Sequence, residues 1–172
     1  MKILYISFSK IPSQTANSIQ VMQMSKAFHE NDHEIILIAK NNSKININPF
    51  DYYGLESSFK LIRINVPNIK FNWIIYTLFI IPRMFYYRPN IIFSRDSFSA
   101  LIATILRFNV IFEAHSIAFG RDNLIYKLLF KMNRLKLIVV ISKVLKSLIL
   151  SNYPKMKKKI IVAPDAVSHS WF

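Results

Sequence analysis

Cysteine is absent from this chain of 172 residues, and glycine occurs only 2 times. The first absence excludes disulfides and thiolate metal sites, and it permits a reducing compartment without requiring one. The second weakens any reading built on a glycine-rich phosphate loop. Acidic residues are scarce too: 9 Asp and Glu stand against 23 Lys and Arg, for a formal charge of +14. A surface of that sign favours nucleotides, nucleic acid or anionic lipid. The chain's general abundance of Lys, Asn, Ile, Phe and Tyr accounts for it equally well. No RNA-recognition signature accompanies the charge, so nucleic acid is not an expected partner.

The few carboxylates can be searched completely. No two form the Asp-x-Asp pair that holds a divalent ion against a diphosphate in metal-dependent sugar transferases, and no metal site is expected. A Walker loop, Gly-x-Gly-x-x-Gly, Gly-x-Ser-x-Gly and His-Glu-x-x-His are all missing. Kinase, dinucleotide dehydrogenase, serine hydrolase and zinc protease are poor readings for that reason. Long apolar runs are lacking as well. The stretch from Phe71 to Tyr87 is interrupted at Pro82-Arg83, short of the ~20 residues that span a bilayer. Behind Lys2, the run Ile3 to Ile6 is too short for a signal peptide.

What the chain does have is apolar residues, 52% of the total, enough for one domain with a substantial core. They gather in short continuous runs: Ile3 to Ile6, Ile35 to Ala39, Leu61 to Ile64, Ile91 to Phe93, Val110 to Phe112, Leu137 to Ile141 and Ile160 to Ala163. Unbroken rather than alternating hydrophobicity predicts parallel strands covered on both faces. Helical spacing separates most of them, with predicted faces Val21/Met24/Phe28, Leu101/Ile105 behind Ser97 as N-cap, Leu124/Leu128/Met132, and Val144/Leu145/Leu148 behind Ser142. The alternation predicts an α/β fold with a single doubly wound, mostly parallel, Rossmann-like sheet. The segment Trp73 to Tyr87 reads as a helix packed on that sheet or as a monotopic membrane contact. The run Lys155, Lys157, Lys158, Lys159 reads as a solvated loop or a contact with anionic headgroups.

Ligands of open α/β sheets sit beyond the carboxyl ends of the strands. That rule selects Ser7 to Ser18, Ser94 to Ser97, Glu113 to Phe119, Ser142, and Pro164 to Ser168. Among their residues, His115 is a candidate for catalysis or a histidine satisfied by backbone at a strand end. Arg95 and Asp96 are acceptor ligands or an ordinary surface ion pair. Glu113 orients the neighbourhood of His115 or simply ends a strand. Asn17 binds ligand or caps a helix, and the helix N-terminus at Ser18 is suited to receive an anion.

Several motifs fall in a familiar order. Lys2-Ile3-Leu4-Tyr5-Ile6-Ser7 opens the chain, and Asp32-His33-Glu34-Ile35 precedes the second predicted strand. Arg88-Pro89-Asn90-Ile91-Ile92 leads to Ser94-Arg95-Asp96. Phe112-Glu113-Ala114-His115, Val140-Ile141-Ser142 and Pro164-Asp165-Ala166-Val167 follow. Together they resemble the N-terminal domain of the family-four retaining glycosyltransferases, which have the GT-B architecture. The resemblance spans essentially the whole chain.

It implies that residues 1–172 form the acceptor-side domain, with the nucleotide-sugar-binding C-terminal domain absent, as in a truncated copy, a fragment or one subunit of a split enzyme. It implies transfer of a sugar from a nucleotide-diphosphate sugar to a glycan or lipid-linked acceptor, with retention and no separate cofactor. His115 would contact the transferred sugar. Ser13, Asn17, Arg95, Asp96, Glu113, Ser142 and Asp165 would bind substrates. A separate donor-binding domain or subunit is the implied partner. Cell-surface polysaccharide biosynthesis in the cytoplasm, peripheral on the inner face of the plasma membrane, is the implied setting. A non-catalytic nucleotide- or sugar-binding subunit and a basic peripheral membrane protein remain the alternatives.

Overall fold

The computed structural model describes residues 1–56, 59–116 and 121–164. Seven strands form one sheet in the order β3-β2-β1-β4-β5-β6-β7, with β3 and β7 at its two ends. The chain divides into two compact units, the first built on residues 1–89 and the second on residues 90–165.

In the first unit, β1 (Lys2–Ile11) is followed by α1 (Ala16–Glu30), β2 (Glu34–Asn41), the short α2 (Pro49–Tyr52), β3 (Lys60–Ile64) and α3 (Asn72–Tyr87). Both pairings, β1 with β2 and β2 with β3, are parallel. Leu4, Tyr5, Ile6, Leu37 and Ile38 are fully buried, as continuous apolar strands covered on both faces should be. Tyr76 of α3 is also fully buried, with its hydroxyl 2.6 Å from the Ser7 carbonyl and 2.9 Å from that of Ile38. Those bonds meet the need of a buried phenol for partners. A Schellman motif closes α1: the Asp32 N–H donates to the His29 carbonyl and the His33 N–H to that of Phe28. Asp32 there has φ 59°, the left-handed conformation that favours glycine.

In the second unit, β4 (Ile91–Ser94), α4 (Ser97–Ile105), β5 (Val110–Ala114), α5 (Arg121–Leu129), β6 (Leu135–Val140) and α6 (Lys143–Asn152) alternate. A 3-10 turn (Pro154–Lys159) then leads into β7 (Ile160–Val162). Every pairing from β4 to β7 is parallel. Ala103, Val110, Leu135, Ile138 and Val140 are fully buried in its core.

All seven predicted strands are present, and several expectations about detail are corrected. β1 continues to Ile11, because a register shift after Ile6 lets Lys10 and Ile11 resume pairing with Lys40 and Asn41. Ser7 and Ser9 are therefore buried strand residues rather than loop. Thr15, not Asn17, caps α1, and Asp96, not Ser97, caps α4. On α5, Leu124 is 60% exposed while Ile125, Tyr126 and Leu129 are buried. On α6, Val144 is 69% exposed while Leu145 and Ile149 face inward. The Lys155–Lys159 run lies in the 3-10 turn, where the Lys159 ammonium donates to the Leu135 carbonyl at 3.0 Å.

Candidate functional site

Three charged or ionisable side chains converge in the second unit, and strand geometry explains why. β4 and β5 run parallel with Ser94 opposite Phe112, so the next residue of each, Arg95 and Glu113, emerge side by side. His115 is two residues beyond Glu113 and so shares its face of the strand. Arg95 and Glu113 are 5% and 2% exposed, with Arg95 Nε 3.6 Å from Glu113 Oε2. His115 is 29% exposed and places Nε2 2.8 Å from Glu113 Oε1. Arg95 Nη2 lies 3.2 Å from His115 Nδ1.

A guanidinium only donates, so Nδ1 accepts and the imidazole proton sits on Nε2, toward the carboxylate. That approach is short but poorly aligned, and His115 Nε2 makes no hydrogen bond among the described residues. Among the described residues, Arg95 Nε and Nη1 and Glu113 Oε2 are buried without a hydrogen-bond partner. Under-satisfied buried polar atoms of this kind are rare in folded proteins and concentrate where chemistry or ligand binding occurs.

This geometry corrects two expectations. Arg95 and Asp96 do not form a surface ion pair: Arg95 turns inward to Glu113, while Asp96 Oδ2 accepts the Ser99 N–H at 2.7 Å as the α4 cap. His115 is held by two side chains rather than by backbone. Supporting contacts come from residues that the sequence did not single out for this role. The Ser94 hydroxyl donates to the Asp96 carbonyl at 2.8 Å, fixing the bend through Arg95. The Tyr126 hydroxyl donates to the Ser116 carbonyl at 3.3 Å, just beyond His115. Ser94 lies in the Ser94-Arg95-Asp96 motif, but its supporting bond, like that of Tyr126, is revealed only by the tertiary arrangement.

The remaining candidates are placed separately. Ser142 caps α6, accepting the Leu145 N–H at 3.1 Å. Ser13 and Asn17 belong to the first unit, where Asn17 is an exposed residue inside the first turn of α1. The segment around Ser13 is stitched by its own hydroxyls. Ser13 Oγ lies 2.8 Å from Ser18 Oγ, and Ser18 Oγ lies 2.7 Å from the Ser13 carbonyl. Tyr53 adds a clamp, its hydroxyl accepting the Ser13 N–H at 2.7 Å. Ser18 is fully buried, so its hydroxyl is not the open anion receptor expected from the sequence. Asp165 lies outside the described residues.

A cavity of about 670 Å³ in the first unit is lined by His29, Asp32, His33, Glu34, Lys60 and Tyr87 among others. It sits at the amino ends of β2 and β3, away from the strand ends that carry ligands in open α/β sheets.

Neither a family model nor a curated protein matches the sequence. Solved structures do. A glycosyltransferase from Rickettsia africae superposes with a TM-score of 0.66 at 18% identity, over 99% of this chain and 44% of that one. A lipopolysaccharide outer core galactosyltransferase gives 0.61 at 17%, over 98% and 46%. A UDP-GlcNAc 2-epimerase from Neisseria meningitidis bound to UDP-GlcNAc gives 0.66 at 12%, over 96% and 47%. The chain thus spans a little under half the length of these structures. At such identities the likeness speaks for the fold, which is the Rossmann-like N-terminal half of a GT-B architecture.

Proposed function

We propose that this chain is the acceptor-side half of a retaining glycosyltransferase of family four, acting on a nucleotide-diphosphate sugar. The observation that carries the reading is the cluster of buried Arg95 and Glu113 with half-buried His115 at the carboxyl ends of β4 and β5. Open α/β sheets place their ligands at those ends. In this reading His115 contacts the transferred sugar, and Arg95 turns its unpartnered Nη1 to an anionic oxygen of the acceptor or donor. Glu113 holds both side chains in place. Asp96, Ser142, Ser13, Asn17 and Asp165 are carried over from the family resemblance as further substrate-binding residues.

The sugar–phosphate bond breaks and the acceptor hydroxyl oxygen bonds the anomeric carbon. The nucleoside diphosphate leaves, taking up the hydroxyl proton. Neutralising the diphosphate requires cations from a second α/β domain, supplied by a longer chain or by a separate subunit. The acceptor is a glycan or a lipid-linked sugar, and the reaction belongs to cell-surface polysaccharide biosynthesis at the cytoplasmic side of the membrane.

A second reading has its own support, because the structural neighbours include UDP-GlcNAc 2-epimerases. Product analysis separates the two: transfer yields a nucleoside diphosphate and a glycosylated acceptor, whereas epimerisation leaves the nucleotide sugar intact but inverted at one carbon. With a complementing donor domain, His115→Ala is expected to lower transfer about 100-fold, in line with the loss of one preorganised polar contact. Its thermal unfolding should stay close to that of the parent. Unchanged transfer in His115→Ala removes the assigned role, and nucleotide-sugar affinity without turnover identifies a binding subunit instead.

A further inference from the structure

α3 presents apolar residues on the side where a surface helix carries polar ones. Tyr76, Thr77, Ile80 and Met84 face the first unit's core. The opposite stripe is Phe71, Ile74, Leu78, Phe79, Phe85 and Tyr86, with Leu78 60% and Tyr86 79% exposed. A helix that is apolar all round is normally buried on every side, whereas here the exposed residues Leu78, Phe79 and Tyr86 lie opposite the buried face. A contiguous exposed stripe of this kind marks an interaction surface.

Its surroundings indicate the occupant. Between Glu56 and Asp96 the sequence has no acidic residue, and ahead of the inward-turned Arg95 it carries Lys60, Arg63, Lys70, Arg83 and Arg88. Cations lie at both ends of the helix. The Lys70 ammonium lies over the Phe71 ring at 5.4 Å at one end of α3, and that of Lys60 lies over Tyr87 at 4.9 Å at the other. Arg83 curls back to the Phe79 carbonyl in the middle of the helix. Aromatic side chains flanked by cations suit the boundary between headgroups and acyl chains. A second copy of the chain fits less well, because a two-fold interface would set the same cations opposite one another. No described helix is long and apolar enough to cross a membrane.

We propose that α3 docks the protein flat on an anionic lipid bilayer, with Phe71, Leu78, Phe79 and Tyr86 entering the interface and Lys70 and Arg83 meeting lipid phosphates. The claim does not depend on the transferase reading, and vesicle binding is measured without donor or acceptor, so the two fail separately.

The test is co-sedimentation of the full chain with vesicles of phosphatidylglycerol and phosphatidylcholine in equal parts, against phosphatidylcholine alone. Binding to the anionic vesicles that weakens with salt is expected. The triple variant Leu78→Ser, Phe79→Ser, Tyr86→Ser should bind at least about tenfold more weakly, with its circular dichroism unchanged because those side chains are exposed. Lys70→Gln with Arg83→Gln should weaken binding to anionic vesicles alone. Should the triple variant misfold, Trp73 fluorescence in a Trp171→Phe background decides, with quenching by brominated lipid expected. Failure of the parent chain to bind, binding unaltered by the triple variant, or absence of quenching overturns the proposal. So does self-association that these substitutions abolish without any vesicle binding, which would make the stripe an interface between copies.

Discussion

Glu113 is a carboxylate on an interior strand, and among the described residues its ion-pair partner is Arg95, with His115 Nε2 also beside it. Burying two opposite charges is close to neutral when they are paired, but removing one leaves the other uncompensated. Glu113→Gln is therefore expected to lower the free energy of unfolding by about 3 kcal/mol, measured in urea. The double change Arg95→Met with Glu113→Leu should recover most of that loss. A double-mutant cycle in which the two positions simply add would contradict the pairing. Lys40 offers a pH-dependent counterpart. Burial and the charge of Lys10, its register partner on β1, hold the Lys40 pKa below the ordinary lysine value of 10.5. Between that lowered pKa and the ordinary value the unfolded chain binds more protons, so the Lys40 contribution to stability rises with pH through this window. Below it, the charged ammonium subtracts from stability, partly offset by the Phe8 ring 3.9 Å away. Lys40→Met should accordingly be more stable than the parent near neutrality, with the difference in urea midpoint shrinking as pH rises through the window.

Helix ends provide a sharper test of local structure than helix middles. Asp96 and Ser97 both suit an N-cap by residue type, and only Asp96 has its side chain on the Ser99 N–H. Asp96→Ala is expected to destabilise the protein by about 1 kcal/mol and Ser97→Ala by much less, as read from thermal unfolding. Equal losses would assign the cap wrongly. The same elements show what the sequence reveals and what it withholds. Strands were legible because parallel strands covered on both faces read as unbroken Ile, Leu and Val. The faces of α5 and α6 were not, because a chain with 52% apolar residues gives each helix more of them than its buried side uses. Spacing then fits more than one face, and Leu124 and Val144 fall on the exposed one. The opening of the Asp32-His33-Glu34-Ile35 motif has a backbone role, since Asp32 adopts the left-handed turn that a glycine would take without strain.

For the molecule as a whole, the strand–helix alternation gave the fold class, and the rule of carboxyl strand ends drew attention to the loops that hold Arg95, Glu113 and His115. What linear order hid was the pairing inside that cluster. Adjacent in sequence, Arg95 and Asp96 suggested an ion pair, but the parallel register of β4 and β5 sets Arg95 beside Glu113 instead. Register between distant strands is a tertiary property, and no motif encodes it. The order of the sheet carries one more consequence. Its two ends are β3, with exposed Lys60 and Arg63, and β7, only 3 residues long. Unpaired backbone at an edge is a template for stacking against other chains, and charge or brevity blunts it. Replacing Lys60 and Arg63 with threonine would keep the strand yet open that seam, and is expected to promote edge-to-edge aggregation.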